Sequence, residues 1–111
     1  MDNTQARLNL QIGAAIQHIV DVERTLDFDK KHRLSQADKY KIHTATHEAT
    51  SAVHQALDKR QWWEVSEMIK EKYQSLKESA SEYHPQEWTY ATAVRLVLEN
   101  VHSRPYLYNR E

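Results

Sequence analysis

From Ala14 to His84 the chain contains neither glycine nor proline. These are the residues that reverse a chain tightly or break a helix. Only Gly13, Pro85 and Pro105 punctuate the 111 residues, so long helices joined by short loops are expected. A chain of this length forms one domain and buries a core without covalent staples. The absence of cysteine excludes disulfides, Cys-based zinc sites and thiol catalysis, and it fits a reducing compartment.

Apolar periodicity divides the chain into four helices. Leu8, Ile12, Ala15, Ile19, Val22 and Leu26 alternate spacings of four and three, predicting a helix over 4–26. Gly13 lies inside it, where glycine costs up to ~1 kcal/mol against alanine; close approach of a neighbouring helix is the expected reason. A charged connection containing Lys30, Lys31, His32 and Arg33 follows. Ser35 then caps a helix over 35–57, with Asp38 in its first turn. This helix carries two stripes. Ile42, Ala45, Ala49, Ala52 and Ala56 form a seam of small residues that brings helix axes close. His43, His47 and His54 form a row on another face.

The polar run Asp58-Lys59-Arg60-Gln61 reads as a turn, followed by a helix over 61–83 with the stripe Trp62, Val65, Ile69, Tyr73, Leu76, Ala80 and Tyr83. Pro85 with Glu87 starts the last helix, 85–102. Its broad apolar face, from Tyr90 and Ala91 through Val94, Val97 and Leu98 to Val101, makes it the most buried of the four. The tail residues Tyr106, Leu107 and Tyr108 tuck against the bundle. The expected fold is therefore all-α: a single antiparallel four-helix bundle with short loops.

A formal net charge of −1 gives no general pull toward nucleic acid or anionic membrane. No apolar run approaches the ~18 residues of a membrane span, and the N-terminus lacks the pattern of a secretory signal. A cytoplasmic protein is the expectation. The chain has no Gly-rich phosphate loop, no nucleophile elbow and no Cys–His pair, so no catalytic residues are assigned and no enzymatic activity is expected.

Two features stand apart from the core. His43 and His47 have the i, i+4 spacing that chelates a transition metal from one helix, and they are the candidate metal ligands. His54 lies roughly 10 Å further along the axis and cannot join the same ion. Glu99 and His102 have the Glu-x-x-His spacing of carboxylate-bridged di-iron bundles, but the required second motif is missing. No cofactor is otherwise expected. The row as a whole is amphipathic edging, with a pH-sensitive homodimer contact as the alternative, because protonated imidazoles in line repel one another.

Trp63 and Trp88 are the second feature. Trp63 points about 100° away from Trp62 and falls among Glu67, Lys70 and Lys77. Trp88 lines up with Thr92, Arg95 and Glu99 rather than with Val94 and Leu98. Exposed Trp beside Arg is the composition of an interaction hot spot; a Trp at a helix start that folds over the bundle end and caps the core is the alternative. Trp63, Trp88, Arg95, Tyr106 and Tyr108 are the candidate protein contacts. The expected function is a small non-enzymatic protein-binding module of inhibitor, immunity or adaptor type. Bacteriocin immunity proteins share this size and architecture, a likeness of length and fold with no motif behind it. A metal-binding bundle and a homodimer are the alternatives, and nucleic acid is an unlikely partner.

Overall fold

A computed structural model describes residues 4–26, 35–79 and 86–103, with side chains from Arg7 onward. Four helices account for nearly all of them: α1 (Thr4–Thr25), α2 (Gln36–Ala56), α3 (Lys59–Ser79) and α4 (Gln86–Ser103). The expected connection through Lys30 to Arg33, the helix ends at Tyr83 and Pro85, and the tail with Tyr106 and Tyr108 lie outside the described residues. None of the helices is long and apolar enough to cross a membrane.

Local chemistry sets the helix ends. The Asp38 backbone N–H donates to Ser35 Oγ at 3.1 Å, the N-cap expected from sequence. At the other end of α2 the chain breaks for two residues only. Leu57 is extended, and Asp58 and Gln61 satisfy each other: the Gln61 N–H donates to Asp58 Oδ1 at 2.7 Å, and the Asp58 N–H donates to Gln61 Oε1 at 3.1 Å. This reciprocal pair is a capping box. It starts α3 at Lys59, so most of the expected turn over 58–61 is in fact the first turn of the helix.

The four helices form an antiparallel bundle with α4 at its centre. α4 packs against α1, α2 and α3, whereas α2 and α3 scarcely touch despite being consecutive. Arg95 meets Glu23, and His102 lies beside Gly13, so α4 runs antiparallel to α1. Tyr73 packs on Tyr90 while Met68 shares a hollow with Asn100, so α3 is antiparallel to α4 as well. α4 buries seven residues, from Thr89 to Val101, and α3 only Val65 and Ile69. The alanine seam is where sequence placed it: Ala45 and Ala49 are buried, and α1 packs closely along α2. Thr46, also buried, donates its hydroxyl to the Ile42 carbonyl at 2.7 Å and leaves nothing unpaired.

Gly13 departs from expectation. No helix backbone crowds it. A Cβ built there would meet only the His102 imidazole, at 3.5 Å, an ordinary contact distance. Gly13→Ala should therefore stabilise the protein by about 0.5–1 kcal/mol, through helix propensity alone. Thermal unfolding followed by circular dichroism will show it as a raised Tm. A lowered Tm would mean that His102 cannot accept the methyl group.

Candidate functional site

The weak packing of α3 on α2 leaves one edge of the bundle open. At the closed end the chain turns through Leu57 and Asp58, and the His54 ring stacks on Trp62, with centroids 4.6 Å apart and planes 14° from parallel. From there the two helices diverge, with α4 beneath them. Near the opposite end His43 and Thr46 of α2 and Gln86, Glu87 and Tyr90 of α4 line a cavity of about 190 Å³. Tyr90 is 40% exposed, alone among the apolar positions expected on α4, because the gap between α2 and α3 lies over it. Tyr73 of α3 meets it edge-on at 5.5 Å.

The α2 wall of this cleft is the histidine row. His43, His47 and His54 are exposed and Thr50 is half-buried. Tyr40, 71% exposed, continues the row toward the helix start. Its spacing is the heptad pattern of three and four, running from Tyr40 through His43, His47 and Thr50 to His54. α2 thus carries two heptad seams: the alanine seam is packed, while Tyr40, His43 and His47 of the second stand exposed. Sequence reasoning missed Tyr40, although its position three residues before His43 was the available signal. His54 is accounted for by its stack on Trp62. His43 and His47 share a single helix face, and no three metal-ligating side chains group together among the described residues.

Trp63, the first of the expected contact residues, stands 64% exposed in the first turns of α3. Trp88 is half-buried and packs against the core, so its ring reaches inward although its helical position reads as polar. Arg95 bridges helices: its Nε donates to Glu23 Oε1 of α1 at 3.1 Å and its Nη1 to Glu99 Oε1 at 3.2 Å. Burial pushes this guanidinium down, but the carboxylates, Glu23 foremost, outweigh that and hold it above its ordinary value. It is charged at any working pH and ties α4 to α1. These residues do not make one patch. α3 starts beside the end of α4, so Trp63 and Trp88 are separated by roughly 20 Å along the bundle. Tyr106 and Tyr108 lie outside the described residues.

One side of α3 is basic, though Glu67 at its border pairs with Lys70 at 3.3 Å. The face running from Trp62 and Tyr73 outward past Ser66 carries Lys59, Lys70, Lys77 and Trp63, with no carboxylate, within roughly 100° of arc. The Trp62–His54 stack orients this face toward α2, and Lys77 Nζ sits 6.0 Å from the centre of the Tyr73 ring. Glu64, Glu71 and Glu78 occupy the opposite side. There Met68, Glu71 and Lys72, with Val97 and Asn100 of α4, line a separate hollow of about 400 Å³.

Comparison with family models, with curated proteins and with solved structures finds no match.

Proposed function

We propose that this chain is a non-enzymatic protein-binding module, of inhibitor, immunity or adaptor type, that acts by contact along the open α2–α3 edge. One observation carries the reading: on a second heptad seam of α2, Tyr40 to His54, the side chains of Tyr40, His43 and His47 stand exposed. Heptad spacing on an uncovered helix suits another helix or a loop laid along it. Tyrosine and imidazole, with Trp63 close to the turn that closes the cleft, supply large and rigid contact area beside polar atoms, the composition of contact hot spots. The cysteine-free composition suits a cytoplasmic setting.

The double variant Tyr40→Ala/His47→Ala tests the reading. Both side chains are exposed, so the stability should stay within about 0.5 kcal/mol of the parent's. Co-purification from the native host should lose its specific partner, with a drop in affinity of about tenfold or more. Undiminished capture by the double variant would remove the α2 row from the function.

A further inference from the structure

We infer that the occupant of the open edge is an acidic amphipathic helix of another protein, seated between α2 and α3 on the α4 floor as a fifth element of the bundle. This rests on the protein-binding reading and names the chemistry of the partner.

Three observations converge on it. The first is charge. Lys39, His43, His47 and His54 face the cleft from α2, with no carboxylate on that arc of the helix. Lys59, Lys70 and Lys77 border it from α3; Glu67 pairs with Lys70 at 3.3 Å, and Glu64, Glu71 and Glu78 lie on the far side. Glu87, at the mouth on α4, is the one carboxylate among the described residues lining the cavity there. A chain with a formal net charge of −1 therefore presents a groove where Lys39, Lys59, Lys70 and Lys77 outnumber Glu87 and the Lys70-paired Glu67, and such a groove selects acidic partners through complementarity.

The second is shape. The cleft is closed at His54–Trp62 and opens toward Tyr40 and Tyr90. From Tyr40 to His54 the wall runs for roughly 20 Å, the length of a helix of about 14 residues. The three-and-four spacing along α2 matches the ridges of a packed helix, a periodicity that a phosphate backbone does not require. The third is an unpaid polar group. The Tyr73 hydroxyl, in the α3 wall, is buried with no hydrogen-bond partner among the described residues. A helix seated there reaches this hydroxyl with an acceptor once it displaces the side chains that cover it.

Calorimetry on the full chain tests the inference with three helical peptides of about 20 residues that share one leucine seam and carry glutamate, lysine or glutamine elsewhere. A single-stranded oligonucleotide is the fourth probe. The glutamate peptide should bind at least tenfold more tightly than the other two, and its affinity should fall about tenfold between 50 and 300 mM salt. The exposed pair Lys70→Glu/Lys77→Glu should abolish that preference, with the helical circular dichroism spectrum unchanged. Equal or tighter binding of the lysine or glutamine peptide overturns the acidic partner and leaves protein binding standing. Preference for the oligonucleotide overturns both readings. A dimer of the free chain in sedimentation, competed by none of the peptides, assigns the edge to a second copy and overturns the inference. Binding of no peptide up to about 100 µM removes the cleft as a helix seat, while the Tyr40→Ala/His47→Ala capture experiment decides the broader reading independently.

Discussion

Replacing Leu98 with alanine is expected to destabilise the protein by about 3–5 kcal/mol, a large share of the ~5–15 kcal/mol that holds a typical domain folded. Leu98 is fully buried, with 0% of its surface exposed. It sits on α4, which packs extensively against all three others. The cost of such a truncation depends on whether neighbours can collapse into the space. A wall of α4 cannot move toward one partner without leaving another, so the cavity persists and the loss falls near the top of the usual range. Urea titration will show a lowered midpoint with an unchanged slope. Leu10→Ala is the control: Leu10 is 74% exposed, and its truncation should change stability by no more than about 0.5 kcal/mol. A Leu98→Ala loss below 1 kcal/mol would contradict the central position of α4.

Enlarging the alanine seam has the next largest effect. Ala49→Leu inserts three carbons where α1 lies close along α2, against a core that holds the fully buried Ile12, Ile19 and Ile42. An interior already at crystal-like density has no room for them. The helices must separate or side chains must leave their rotamers, at about 1–3 kcal/mol. A domain near this size loses about 4–8 °C of Tm per kcal/mol. Thr50→Leu, one residue further along α2 but on the uncovered side, should leave Tm nearly unchanged. Equal losses at the two positions would mean that the second seam is as crowded as the first.

Much of this arrangement was legible before any coordinates. Leu8, Ile12, Ala15, Ile19 and Leu26 are all buried, as their spacing required. Val94, Val97, Leu98 and Val101 are buried together, as the broad apolar face of the last helix implied. The break after α2 was expected as a turn over Asp58 to Gln61; the paired hydrogen bonds of Asp58 and Gln61 make it instead the capping box that opens α3 at Lys59. Trp88 was misleading on a helical wheel, since a wheel records the direction of Cα–Cβ and a large ring reaches well past it. Its ring lies on the core. The candidate site was half visible: the histidine row could be read off its periodicity, but whether anything covered it could not.

Periodicity and punctuation determined the number of helices, their inward faces and the small-residue seam, because these follow from burying one stripe per helix along a chain with few breakers. Which edge of the bundle stays open is a different kind of fact. The stripe on α3 from Trp62 to Leu76 is compatible with close packing on α2 or on α4, and its spacing does not distinguish them. Only the tertiary structure assigned it to α4, leaving Tyr73 and Leu76 half-buried and Tyr90 partly in view. Amphipathic patterning tells a helix to hide one face. It does not say which neighbour will cover that face, because that depends on the competing demands of all the helices at once.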